Sequence, residues 1–102
     1  MTAQPRIPID RLRIAEFCRK WRIREFALFG SVLRDDFRPD SDVDVLVRLQ
    51  PEHGLSLFDW ADMVAELTQM FGRPVDLVEG EGLQNPFRRH SILSTKEVIY
   101  VS

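Results

Sequence analysis

The sequence predicts an α/β domain in which a small mixed β-sheet is flanked by helices. Segments whose apolar residues recur at helical spacing alternate along the chain with short apolar runs that are typical of buried strands. The composition, 44% hydrophobic and 29% charged residues, is that of an ordinary globular protein. Because 102 residues can enclose one hydrophobic core, we expect a single domain over residues 1–102.

The first part of the chain predicts a helix followed by a strand. A helix over residues 10–21 begins with an aspartate that is a suitable N-cap, and its apolar residues recur at every third position. The run over residues 25–29 is mostly apolar and stops at Gly30, as expected for a buried strand that enters a turn. Gly30 and Ser31 then open a short helix that we expect to continue through Asp35.

The rest of the chain predicts two further strands and two further helices. Residues 43–49 give the clearest strand pattern and follow a Pro-Asp-Ser turn segment. Residues 55–71 show helical spacing and precede a glycine that is suited to ending a helix. Residues 74–78 predict a third strand, and residues 86–94 predict a last helix after an Asn-Pro start. Residues 98–101 are β-prone, but the predicted order is helix, strand, strand, helix, strand, helix.

Charge and cysteine content exclude several classes of protein. The net charge of -2 argues against direct nucleic-acid binding, and the seven basic side chains within residues 1–24 are interpreted as a solvated helix face. The single cysteine, Cys18, excludes an internal disulfide, and the lack of paired Cys/His spacings excludes an ordinary zinc site. No apolar run reaches the roughly 18 residues of a membrane span. We therefore expect a cytoplasmic protein without membrane contact.

Three aspartates on two predicted strands are the candidate catalytic and metal-binding residues. Asp42 and Asp44 open the second strand, and because side chains alternate along a strand, both carboxylates face the same side. Such a pair is costly unless a cation lies between the carboxylates, and magnesium prefers these oxygen ligands together with phosphate. If the third strand lies beside the second, Asp76 completes a site for two ions and is placed to accept the proton of the attacking group.

Gly30, Ser31 and Arg34 are the candidate nucleotide-binding residues. Glycine permits the close approach of a phosphate, and the amides at the start of the short helix can donate to a triphosphate together with the Ser31 hydroxyl. Arg34 lies one turn further on and can add positive charge at the same phosphates. Taken alone, a Gly-Ser pair is a weak signal. Ser31 can also cap the short helix, and capping does not exclude contact with a phosphate.

The spacing between the Gly-Ser pair and the first two aspartates resembles that of a known protein family. Gly30-Ser31, ten intervening residues and then Asp42-Val43-Asp44 resemble the signature of the polymerase-beta-like nucleotidyltransferases. Within that superfamily the chain most resembles the minimal nucleotidyltransferases, a small group that includes antitoxins of HEPN-type toxin–antitoxin pairs. The resemblance covers nearly the whole chain, including residues 26–31, 41–47, 75–78 and the tail through Tyr100.

The resemblance implies a polymerase-beta-like nucleotidyltransferase fold and an activity. It implies an enzyme that uses two Mg²⁺ ions and ATP as substrate, with transfer of AMP to a hydroxyl group. The acceptor implied is often a tyrosine of a HEPN-type toxin encoded beside the enzyme, so such a toxin is the expected partner. One residue departs from the pattern: Asp35 stands where family members often have glycine, and its charge is expected to weaken triphosphate binding.

Other interpretations of the same residues stay open at this point. Asp44 could pair with Arg34 or Arg48 instead of a metal ion. The chain could be a non-catalytic antitoxin that neutralises its partner by steric binding, or a nucleotidyltransferase that acts on a small molecule such as an aminoglycoside. His53 and His90 are isolated in the sequence and are interpreted as surface histidines without a catalytic role.

Overall fold

The structure, a computed structural model, describes residues 7–33, 38, 41–80 and 86–102, and for residues 31, 88, 89 and 91 it describes the backbone alone. Among the described residues, no helix has the length and apolar character that crossing a bilayer requires. In chain order the elements are α1 (Arg11–Lys20), β1 (Ile23–Phe29), a turn of 3₁₀ helix (Gly30–Leu33), β2 (Val43–Leu49), α2 (Leu57–Phe71), β3 (Val75–Glu79), α3 (Pro86–Thr95) and β4 (Glu97–Val101).

The four strands form one mixed sheet in the order β3-β2-β1-β4. β1 pairs antiparallel with both β2 and β4, whereas β2 pairs parallel with β3. A parallel pair needs a long crossover connection, and α2 lies within the connection between β2 and β3. The predicted α/β class, with a mixed sheet and flanking helices, is therefore confirmed.

Helices cover both faces of the sheet. On the first face, α1 and α2 enclose the larger core, whose members include Phe17, Phe26, Val45, Met63 and Leu67. On the second face, α3 packs Ile92 against Ala27, Phe29 and Leu46. β2 is consequently buried on both sides over residues 45–47, and this explains why its apolar run is uninterrupted.

Local side-chain chemistry sets the ends of α1 and α2 as predicted. The Asp10 carboxylate accepts a hydrogen bond of 3.2 Å from the Arg13 amide and caps α1. Ser56 and Asp59 form a reciprocal capping box at the start of α2, two residues later than the predicted helix start. Gly72 ends α2 in the left-handed conformation with φ 69°, which glycine adopts without strain.

Two elements differ from the sequence prediction. β1 begins at Ile23 rather than at residue 25, after Arg22 with a φ of 57°, and its register with β2 is irregular between Ile23 and Glu25. β4, which the predicted order omits, is a full edge strand because it pairs with β1 over residues 97–101. That pairing is a long-range interaction, so the local sequence carries little of its signal.

Cys18 is a core residue of α1. Its side chain is fully buried, and this burial raises the pKa of the thiol from 9.0 to about 12. The thiol is therefore protonated at neutral pH and packs as a small apolar group.

Candidate functional site

Asp44 and Asp76 lie side by side on the sheet. They are register partners in the parallel pairing of β2 with β3, so their side chains leave the same face on strands about 4.8 Å apart. Leu46 and Val78, two residues further along each strand, belong to the core beneath α3 and identify this as the second face. Asp44 is half-buried and Asp76 is exposed. The condition set from the sequence, that the third strand neighbours the second, is met.

Asp42 stands just before β2 and is exposed. The amide of the next residue, Val43, donates to the carbonyl of Pro74 at 2.9 Å and ties the start of β2 to the start of β3. Among the described residues, no three acidic, histidine or cysteine side chains form a group that could hold a metal ion. The structure thus pairs Asp44 with Asp76 and leaves Asp42 at their margin.

Gly30 places its backbone directly against the Asp44 carboxylate. It follows Phe29, the β1 residue that pairs with Asp44, and has a φ of +74°. A Cβ atom built on Gly30 would lie 2.3 Å from Oδ2 of Asp44, closer than real contacts allow. Glycine is therefore required here by both its backbone angle and its missing side chain. The sequence suggested close approach of a phosphate to Gly30, and the close neighbour in the structure is the carboxylate.

The remaining predicted nucleotide-binding residues follow Gly30 in the chain. The backbone of Ser31 belongs to the 3₁₀ turn, which ends at Leu33 and is anchored by the buried side chains of Val32 and Leu33. Arg34 and Asp35, like the side chain of Ser31, lie outside the described residues. Their roles therefore stay predictions from the sequence.

Arg73 contacts the chain just before Asp42 and is a residue that the sequence interpretation missed. The carbonyl of Arg38 accepts from the Ser41 amide at 3.0 Å and from Nη1 of Arg73 at 3.2 Å. The Arg38 amide in turn donates to Oγ of Ser41 at 3.0 Å. Arg73 thus anchors the chain that precedes Asp42 and Asp44. The available signal was its position beside Pro74 at the start of the strand that carries Asp76.

The structure also bears on the alternative roles of Arg48 and the histidines. Arg48 lies four residues beyond Asp44 on β2, about 13 Å along the strand. Its Cγ packs near Gly80, and its buried Nε has no hydrogen-bond partner within the described part of the chain. This arrangement does not favour an ion pair between Arg48 and Asp44. His53 accepts a hydrogen bond of 2.9 Å from the Leu55 amide through Nδ1, and His90 is exposed.

Comparison with known proteins gives this site a family context. Residues 12–99 match the family described as the nucleotidyltransferase domain. The chain is similar to the protein adenylyltransferase MntA of Thermococcus cleftensis, with 33% identity over 86 residues that cover 84% of this chain and 82% of the relative.

Solved structures share the fold at lower sequence identity. A toxin–antitoxin structure with AMP-PNP has a TM-score of 0.73 and 17% identity, covering 92% of this chain and 75% of that one. A tri-AMPylated Shewanella oneidensis HEPN toxin in complex with an MNT antitoxin matches with a TM-score of 0.65 and 17% identity, over 90% of this chain and 70% of that one. At these identities the likeness concerns the fold alone.

Proposed function

The chain belongs to the nucleotidyltransferase domain family, and we propose from this that it is a magnesium-dependent protein adenylyltransferase that acts as an antitoxin. The proposed reaction transfers AMP from ATP to a tyrosine hydroxyl of a HEPN-type toxin partner. The observation that carries the proposal is the register pairing of Asp44 with Asp76 directly beside Gly30. Because the reaction consumes ATP, the proposal also places the protein in the cytoplasm.

The carboxylate oxygens of Asp44 and Asp76 are the type of ligand that a hard divalent cation prefers, although the described side chains form no group of three acidic, histidine or cysteine ligands. Magnesium is usually bound through one or two carboxylates, with water and substrate phosphates completing its coordination. Asp44 and Asp76 supply two adjacent carboxylates, and Asp42 lies two residues from Asp44 at the solvent-facing margin. We assign the binding of two Mg²⁺ ions to these three aspartates. When bound, the ions would neutralise phosphate charge and lower the pKa of the attacking hydroxyl.

The chain's own groups then have distinct tasks in the transfer. The tyrosine oxygen forms a bond to the α-phosphorus of ATP, the bond from that phosphorus to the bridging oxygen breaks, and pyrophosphate leaves. Asp76, which is exposed, accepts the tyrosine proton. The backbone at Gly30 and Ser31, the Ser31 hydroxyl and the Arg34 guanidinium are assigned to the triphosphate. In the same proposal, Asp35 reduces affinity for the triphosphate by charge repulsion.

Two similarities support a protein as the acceptor. The relative from Thermococcus cleftensis, at 33% identity, is named a protein adenylyltransferase. The Shewanella oneidensis antitoxin, which shares the fold, is in complex with an AMPylated HEPN toxin. A helical toxin encoded beside this chain is accordingly the acceptor that we propose to test first.

The decisive experiment is incubation of that purified neighbour with the chain, ATP and magnesium, followed by peptide mass spectrometry. We expect added AMP mass on a tyrosine, lost with Asp42→Asn, Asp44→Asn or Asp76→Asn. Asp62→Asn is the matched control, because Asp62 is an exposed aspartate on α2 and belongs to none of the proposed contacts. A neighbour that stays unmodified yet is inhibited in a tight complex would instead establish steric neutralisation.

A further inference from the structure

The two edges of the sheet differ in how well they can accept another strand. β3 and β4 are the edge strands, and such strands present amide and carbonyl groups that can pair with another chain. β4 is poorly suited to this, because its register with β1 shifts between Phe26 and Ala27. Its Ile99 carbonyl also accepts a hydrogen bond of 3.2 Å from Nη1 of Arg11. β3, in contrast, pairs with β2 in regular register over all five of its residues.

The pairing with β2 determines which backbone groups of β3 lie at the outer edge. The Val43 amide donates to the Pro74 carbonyl at 2.9 Å, so this carbonyl points toward β2. Backbone groups of successive residues in a strand point to opposite sides, so those of Asp76 also point toward β2. The amide and carbonyl groups of Val75 and Leu77 therefore point outward. No hydrogen bond from another described segment reaches them, and we call these outward groups the β3 edge.

The β3 edge lies at the carboxylate site. Asp76 stands between Val75 and Leu77, is exposed, and leaves the second face of the sheet beside its register partner Asp44. The side chains of Val75 and Leu77 leave the first face, where they pack with the core under α1 and α2. A strand added at this edge would extend the sheet next to Asp76. It would leave the space above the two carboxylates open for the triphosphate.

Antiparallel addition places one residue of the incoming strand directly opposite Asp76. Val75 and Leu77 would each exchange two hydrogen bonds with the incoming strand. The residue opposite Asp76 then belongs to a non-hydrogen-bonded pair, with the two Cα atoms roughly 4.5 Å apart. Its side chain leaves the same face of the sheet as Asp76. Asp44, Asp76 and the incoming side chain would thus stand in one row across three neighbouring strands.

The chemistry of this row favours tyrosine as the incoming residue. In the proposed reaction Asp76 accepts the proton of the attacking hydroxyl, so the hydroxyl must lie beside this carboxylate. The ring of tyrosine carries its hydroxyl further from the strand than an aspartate carboxylate extends, toward a phosphate bound above the carboxylates. The hydroxyl of serine or threonine stays close to the strand. The two neighbours of the tyrosine turn to the first face beside Val75 and Leu77, where apolar side chains are favoured.

We propose that the acceptor protein binds to the β3 edge as an added antiparallel strand, with its reacting tyrosine opposite Asp76. The segment that carries the tyrosine is extended, lies outside the helices of the acceptor, and has an apolar residue on each side of the tyrosine. This inference rests on the proposed function, because it takes a tyrosine of a protein as the acceptor. It adds the conformation of the acceptor segment and the backbone groups that bind it.

The first test is amide hydrogen exchange, followed by NMR, of the full-length chain with and without the purified neighbouring protein. The accepting tyrosine of that protein is replaced by phenylalanine to prevent turnover. Exchange of the Val75 and Leu77 amides should slow about tenfold or more in the saturated complex. The Val101 amide is the matched control: the Ser102 amide donates to the Arg24 carbonyl, so the Val101 amide points outward from β4. Unchanged exchange at Val75 and Leu77, or equal slowing at Val101, would overturn the proposal.

The second test uses proline to remove one outward donor. Val75→Pro changes the first residue of β3, a position where strands tolerate proline. The KM for the acceptor should rise about fivefold or more, as expected for a lost hydrogen bond, while the affinity for ATP with magnesium equals that of the parent. Val101→Pro removes an outward amide from the other edge strand and should keep the parent KM.

The outcomes distinguish this inference from the proposed function. Slowed exchange at the β3 edge without AMP transfer supports strand addition and refutes the enzyme activity. AMP transfer with unchanged exchange at this edge refutes strand addition and keeps the activity, as does an equal KM for Val75→Pro and the parent. Sedimentation of the free chain as a dimer that Val75→Pro dissociates also refutes strand addition by the acceptor, because a second copy then occupies the edge. A neighbouring protein that forms no complex refutes both.

Discussion

Replacing Gly30 with alanine should damage the candidate site through two separable effects. The φ of +74° is left-handed, and an L-residue there costs roughly 1 to 2 kcal/mol. The new Cβ would also lie 2.3 Å from Oδ2 of Asp44, so the carboxylate must leave its rotamer, at about 0.5 to 1.5 kcal/mol. We expect the free energy of unfolding to fall by about 1.5 to 3.5 kcal/mol in total.

Two other glycines separate these effects. Gly54 and Gly72 each have a φ of 69°, and a Cβ built on either meets no atom within 4 Å. Gly54→Ala and Gly72→Ala should therefore show the backbone cost alone. The further loss in Gly30→Ala measures the displacement of Asp44. Urea unfolding followed by circular dichroism gives all three values under the same conditions.

The displacement of the Asp44 carboxylate should also lower the activity. Moving the Asp44 carboxylate by about 1 Å is expected to lower the rate of AMP transfer roughly 100-fold. The two control variants should keep the parent rate, measured at a temperature where all three are folded. Parent-like activity in Gly30→Ala, together with a stability equal to that of Gly54→Ala, would show that the contact with Asp44 has been misjudged.

Three further predictions concern residues that support the site or the fold. Arg73→Ala removes the hydrogen bond to the Arg38 carbonyl before Asp42, and the magnesium concentration for half-maximal activity should rise about tenfold. Arg73→Lys should recover part of this loss. Ser56→Ala removes the N-cap of α2 and should lower the free energy of unfolding by about 1 kcal/mol. Calorimetry should show this as a Tm lower by about 4 to 8 °C, and ATP binding should be unchanged. Folding raises the Cys18 pKa from 9.0 to about 12, so the unfolded chain loses this proton first and stability falls as pH rises above 9. The urea-unfolding free energy of Cys18→Ala should therefore decline less steeply with pH than that of the parent between about pH 8 and 10.5. An equal slope in the two proteins would refute this.

The elements that the sequence predicts well are those decided by local chemistry. The caps at Asp10 and Gly72 depend on side chains or backbone angles within a few residues, and both are confirmed. β4 depends on pairing with β1, some 70 residues away in the chain, as with Glu25 and Val101. A local sequence pattern carries no information about a partner strand so far away in the chain. The β-prone tail could therefore not be assigned to the sheet.

The candidate site also has some features that the sequence predicts and others that depend on long-range contacts. The sequence predicts that Asp76 joins Asp42 and Asp44 if the third strand lies beside the second, and the parallel register of Asp44 with Asp76 meets that condition. The contact of Gly30 with Asp44 and the hydrogen bond from Arg73 to Arg38 depend on atomic placement across separate segments. The sequence indicates which residues belong to such a site, but it does not specify which of their atoms are in contact. The roles of Arg34 and Asp35 stay predictions from the sequence.

The crossover between β2 and β3 has a consequence for synthesis of the protein. Gly30 and Asp44 precede α2 in the chain, and in the folded protein β1 and β2 pair antiparallel. Asp76 reaches its place only after α2 and β3 have followed. A nascent chain that extends only into α2 therefore contains Asp44 but lacks Asp76, its partner in the carboxylate pair.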